Sequence, residues 1–208
     1  AGFQPDWVVM KNIDSAYNWE TYDAVRGVHK ELYTNTTGAE ATNTNALTAF
    51  GSDGFTVGSE TGVNKSGQTF VAWCWKAGTT SGITAGDITP DGYSINTTSK
   101  FAIIKYPGNS TDDSDLNHGL GVAPKFMVFK VTTNWLVYHE KNTSAPETDY
   151  LYLNSTNATV DRVESWSDEK PNSTAVVLGS SGDANTNGTE RYIGYIWGEV
   201  QGFSKFGS

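Results

Sequence analysis

FVAWCWK, Phe70 to Lys76, returns near the other end of the chain as YIGYIWG, Tyr192 to Gly198. Large and small residues alternate in both. Val71, Trp73 and Trp75 fall on one side, with Ala72 and Cys74 on the other. Ile193, Tyr195 and Trp197 answer the first set, and Gly194 and Ile196 the second. A period of two marks a strand. One bulky face and one small face suit a strand lying between two layers.

The likeness extends outward from that pair. FQPDWVVMK (Phe3 to Lys11) is answered by VAPKFMVFK (Val122 to Lys130), and NWETYD (Asn18 to Asp23) by NWLVYH (Asn134 to His139). GFTVGS (Gly54 to Ser59) is answered by AVVLGS (Ala175 to Ser180). The chain carries one paragraph twice, and self-similarity of this kind sets the architecture. The expected division is a first repeat over residues 1–78, an ordered linker over 79–100, a second repeat over 101–202 and a C-terminal strand over 203–208. Ile83, Ile88 and Ile95 are apolar pegs in the linker, which argues against a free tether.

The apolar runs are short and bounded by turn residues. Asn64-Lys-Ser-Gly67 and Asn185-Thr-Asn-Gly188 each precede one copy of the alternating strand and read as turns with a glycine at positive φ. Helical spacing is weak. Tyr22 to Leu32 has some, but carries Gly27 and β-branched valines, so one short helix or none is expected. The fold class that follows is all-β, two tandem sandwich units of jelly-roll type with little helix.

The net charge is −9, which repels phosphate backbones and an anionic membrane surface and excludes nucleic acid as an expected partner. No apolar run reaches the ~20 residues that span a bilayer, and no secretion signal is visible. Cys74 is the single cysteine, so no internal disulfide framework exists. Ile196 stands in its place in the second copy, which makes it a packing position.

No catalytic set emerges, and neither a metal nor a cofactor is expected. His29, His118 and His139 lack metal-ligand spacing. Asp112, Asp113 and Asp115 cluster without the closing Glu of a calcium loop. The motif Asn-x-Ser/Thr occurs nine times, at Asn35, Asn64, Asn96, Asn109, Asn142, Asn154, Asn157, Asn172 and Asn187. Chance would give about three or four for so loose a motif. The excess reads either as a glycan coat, implying an extracellular life, or as a use of Asn-Thr in turns. Among the aromatics, Trp73, Trp75 and Trp197 read as core. Trp19 and Trp135 match each other, which favours structure. Trp166 has no counterpart and is the candidate platform for stacking on a sugar ring.

One difference between the copies bears on assembly. FAIIKY, Phe101 to Tyr106, leads into the second copy, and the first copy has no such lead-in. The chain closes on Phe203-Ser-Lys-Phe-Gly-Ser208, which resembles it. Strand addition between subunits is the expectation: Gly202 to Ser208 of one subunit pairs near Phe3 to Lys11 of the next. Phe3, Pro5, Trp7 and Val9 then meet Phe203, Lys205 and Phe206 across the joint. A head-to-tail contact that does not close makes a fibre.

GFQPDWVVMKN, TNTTGAEAT, SDGFTVGS, VNKSGQTFVAWCWKAG, HGLGVAPKFMVFK and EVQGFSKFG together resemble a repeat of phage tail-fibre and other virion proteins, in phages of marine and fresh water. The resemblance covers nearly the whole chain and fades between about Lys141 and Lys170. It implies a structural role outside the cell or on a virion and carries over no catalytic residue. Three functions are set against each other: a filament subunit that polymerises with itself, a receptor module that binds a surface glycan, and a glycan-active enzyme. The first is the leading expectation.

Overall fold

A computed structural model describes residues 1–78, 82–130, 132–186 and 188–207. It divides into two compact units, Ala1–Ala77 and Gly78–Ser208. The expected linker is therefore part of the second unit from Gly82 onward, and its isoleucines explain why. Ile88 and Ile95 are buried in that unit's core, with Ile83 packed against it.

In the first unit the strands are β1 (Trp7–Asn12), β2 (Glu20–Asp23), β3 (Lys30–Tyr33), β4 (Ala41–Thr42), β5 (Leu47–Gly51), β6 (Gly54–Val57) and β7 (Phe70–Trp75). A single helical turn, α1 (Thr61–Asn64), precedes β7. The main sheet runs β4-β3-β2-β1-β7, all antiparallel, and β5-β6 forms a separate hairpin. Val8, Met10 and Tyr22 face that hairpin and α1, and close a core with Leu47 and Val63.

The second unit adds β8 (Gly92–Asn96), β9 (Phe101–Pro107), β10 (Ser114–Asn117), β11 (Phe126–Lys130), β12 (Trp135–His139), β13 (Asp149–Tyr152), β14 (Val160–Asp161), β15 (Ala175–Leu178) and β16 (Arg191–Trp197). Its one-turn helix is α2 (Val163–Trp166). The main sheet runs β14-β13-β12-β11-β16-β9-β8, with β10-β15 apart. The fold is all-β and sandwich-like, as expected.

The duplication holds strand by strand. The ladder β4-β3-β2-β1-β7 is repeated as β14-β13-β12-β11-β16. The pairing Glu20↔Tyr33 recurs as Leu136↔Tyr152, and Trp7↔Trp75 parallels Phe126↔Trp197. Even a clasp between strands recurs. Asn35 accepts from the backbone N–H of Trp19 at 2.9 Å, and its amide donates to Asn18. Asn154 accepts from Trp135 N–H at 2.8 Å and donates to Asn134. Tyr22 to Leu32, which had some helical spacing, forms parts of β2 and β3 instead. Gly27 sits between them at φ 95°, a conformation cheap for glycine alone.

Candidate functional site

The lead-in makes the difference between the units. In the second, β9 lies along the outer edge of β16 over seven residue pairs, from Arg191↔Pro107 to Trp197↔Phe101. β16 is then paired on both sides and buried from Tyr192 to Trp197. In the first unit β7 pairs, among the described strands, with β1 alone. Ala72 and Trp73 at its middle are exposed, whereas Gly194 and Tyr195 at the matching places are buried.

Such an edge is unusual. Exposed sheet edges are ordinarily short, charged, bulged or covered, because they template pairing with another chain. β4 and β14 follow that rule at two residues each. β7 spans six residues, FVAWCW, without a charge or a proline. Alternation survives intact: Cys74 packs beside the core formed by Val8, Met10 and Tyr22. Burial pushes its thiol pKa up, which suits a structural thiol.

The opposite face carries aromatics. Trp7 and Trp75 lie 4.3 Å apart, and the Trp7 indole N–H donates to Thr21 Oγ1 at 2.6 Å. Next along, Trp19 and Trp73 stack at 5.4 Å and 21°. They are 39% and 40% exposed. The alternating pattern of the strand predicts Trp73 in the core, where its counterpart Tyr195 does lie. Tyr195 is held between Val128 of β11 and Ile103 of β9, and among the described strands none lies beside Trp73 as β9 lies beside Tyr195.

The expected joint needs correction at its acceptor. β1 is flanked by β7 over its length and by β2 from Trp7 to Met10, so Trp7 and Val9 have no edge to offer. Phe3 is half-buried, while Pro5, Trp7 and Val9 are buried. At the donor end, Val200 and Ser204 close a tight turn. Phe203 beyond Val200 is 73% exposed and Lys205 is exposed. Phe206 stacks on Phe126 at 6.1 Å.

Trp166 is not a platform. It is 1% exposed, packs on Phe129 and Tyr138, and donates its indole N–H to the Asp149 carbonyl at 3.0 Å. Several sequon asparagines hold turns or bridge segments. Asn96, Asn109 and Asn172 accept through their side-chain oxygens from the N–H two residues on, the local bond that makes Asn a turn former. The amides of Asn35, Asn64, Asn109 and Asn154 are themselves donors, to Asn18, Gly58, Ser114 and Asn134. Asn142 accepts from Thr159, and Asn157 is exposed. Asn187 lies outside the described residues.

His118 is buried, accepts from Leu120 N–H, and has its pKa lowered by that burial. Asp112 accepts from Ser180 N–H. Among the described residues no group of three His, Cys, Asp or Glu is placed to hold a metal, and no helix is long and apolar enough to cross a membrane.

One family profile, described as Domain of unknown function (DUF7483), matches residues 1–208. The chain belongs to the DUF7483 family. The match runs through both copies and the segment between them. No curated protein and no solved structure matches this DUF7483 chain.

Proposed function

We propose that this chain is a structural subunit of a fibre or filament, outside the cell or on a virion, that joins to itself by strand addition at β7. The single observation behind this reading is the contrast between β16, buried between two strands, and β7, paired on one side with an exposed middle. The donor is the C-terminal segment, Gly202 to Ser208, of a neighbouring copy. Ser204-Lys205-Phe206 repeats Ser99-Lys100-Phe101, and Phe101 opens β9 opposite Trp197. In the same register Phe206 would lie opposite Trp75, with the following residues running along Cys74 and Trp73. Release of Phe206 from Phe126 costs about 1 kcal/mol, the size of one ring stack.

Negative-stain electron microscopy of the full chain, with and without residues 203–208, tests it. Filaments from the first and single particles from the second are expected. Ala72→Lys and Trp73→Lys, which put charge on the edge, are expected to stop assembly and leave the circular dichroism spectrum intact. Single particles from the unaltered chain at high concentration sink the reading.

A glycan-binding module is the second reading, and the exposed Trp19–Trp73 stack favours it, since ring faces of this kind pack on pyranose rings. Its test is a glycan panel. Binding that Trp73→Ala removes supports it, and an empty panel ends it.

A further inference from the structure

The inner face of the first unit holds two carboxylates where the matching places of the second hold Leu136 and Tyr150. Glu20 on β2 and Glu31 on β3 are 3% and 4% exposed. Between them stands the Tyr22 hydroxyl, 2.6 Å from Glu20 Oε2 and 2.9 Å from Glu31 Oε2. A phenol has one proton and can donate to one of these oxygens. The other contact needs a proton from a carboxyl group.

The surroundings decide which carboxyl carries it. Glu31 has two further donors, the Tyr33 hydroxyl and the Asn43 amide at 3.1 Å, which suit an anion. Glu20 has Tyr22. The other charged groups acting on Glu20 are Glu31 and Glu60, both acidic. β1 opposes it with Met10, and α1 approaches with Gly62. Arg26 and Lys30 are engaged by Asp23 and Glu40.

The duplicate shows that the fold does not need this pair. Leu136 occupies the place of Glu20, and Tyr150 the place of Glu31 in the matching ladder. The acid at the nearby place of Gly62, Asp183, accepts from the hydroxyls of Thr133 and Tyr152 and lies near the cation of Lys130.

We infer that the first unit contains a proton-operated switch: a proton on Glu20 donates to Tyr22, which donates to Glu31, and loss of that proton puts two buried anions on one phenol and loosens the sheet that carries β7. Burial, with the neighbouring acids, pushes the Glu20 pKa up from 4.5 to about 7. A raised folded-state pKa means that the folded unit binds the proton more tightly than the unfolded chain. That stabilisation is fully present below about pH 4.5 and is lost as pH rises through about 7. The opening equilibrium of the first unit then rises about tenfold between about pH 6 and pH 8.

Hydrogen exchange of the full chain, followed by mass spectrometry and corrected for intrinsic rates, reads this directly. Peptides of β1 to β3 are expected to lose protection by about that factor, and peptides of β11 to β13 to show no matching loss. Glu20→Gln, which keeps a neutral side chain at every pH, is expected to flatten the first profile. The same pH profile in the variant and the unaltered chain overturns the inference, as does a matching loss in β11 to β13. If the variant fails to fold, infrared spectroscopy of the unaltered chain decides. A neutral carboxylic acid band at about pH 6 that titrates away through about 7 supports the switch. Its absence at about pH 6 overturns it.

Discussion

Gly58 and Gly179 hold the same post in the two units. Each follows its strand of the smaller sheet and donates its N–H to a carbonyl, Ala46 at 2.7 Å and Ser165 at 3.3 Å. A Cβ on Gly58 would lie 2.4 Å from the Asn45 carbonyl oxygen, and one on Gly179 2.5 Å from that of Glu164. Both obstacles are backbone and cannot swing aside. Gly58→Ala and Gly179→Ala should each cost about 1–3 kcal/mol by overpacking, read by chemical denaturation. Trp166→Ala should cost about 3–5 kcal/mol through the cavity it leaves, with any glycan binding unchanged. The sequence displayed the repeated Gly-Ser but not its reason, because the obstructing carbonyls come from segments that do not resemble each other. Trp166 misled for a related cause. Lack of a counterpart suggested a surface role, yet its indole fills a place that the first unit packs differently.

At the scale of elements the alternating strand was fully legible. Cys74 and Ile196 turn inward, and the bulky set turns the other way. Exposure was not legible, because it belongs to the neighbour rather than to the strand. Trp73 and Tyr195 share a position and a face, and one is bare because no described strand lies where β9 lies beside the other. A peptide spanning Ser99 to Gly108 should therefore bind the first unit, shift the fluorescence of Trp73 and halt assembly. Trp73→Lys should weaken that binding at least tenfold, about 1.4 kcal/mol. The lead-in to the second copy, Phe101 to Tyr106, was visible from the start, but the acceptor was not. Similarity of Phe3 to Lys11 with Val122 to Lys130 gave no hint that β1 is central and β7 terminal. The helical spacing over Tyr22 to Leu32 failed because Gly27 turns the chain between two strands.

For the molecule as a whole, the two units should answer alkali in opposite senses. Lys130 is 1% exposed, and burial pushes its pKa down to about 8. The unfolded chain therefore binds this proton more tightly than the folded unit. Stability of the second unit should rise as pH climbs from about 8 toward 10.5, by about 1–3 kcal/mol, while the first has already lost its share. Differential denaturation between about pH 6 and pH 10 checks both signs, and Lys130→Met should erase the rise. The tandem organisation was open to reading because whole phrases recur. The carboxylate pair was not, since its partners are set by register and Leu136 gives no sign of what stands in its place.

The paired clasps carry a practical warning about the choice of expression host. In a eukaryotic secretory pathway, oligosaccharide is transferred to asparagine amides while the chain is still emerging and unfolded. Asn35 and Asn154 would be modified before either could reach across to Asn18 or Asn134, and a nascent chain decorated there would arrive at its own folding with a sugar crowding each latch. Material from a bacterial cytoplasm should fold and show the polypeptide mass of 22.5 kDa, whereas secreted material should be retained or misfolded until the sequons at Asn35, Asn64, Asn109 and Asn154, whose amides are all donors, are removed by replacing their Ser or Thr.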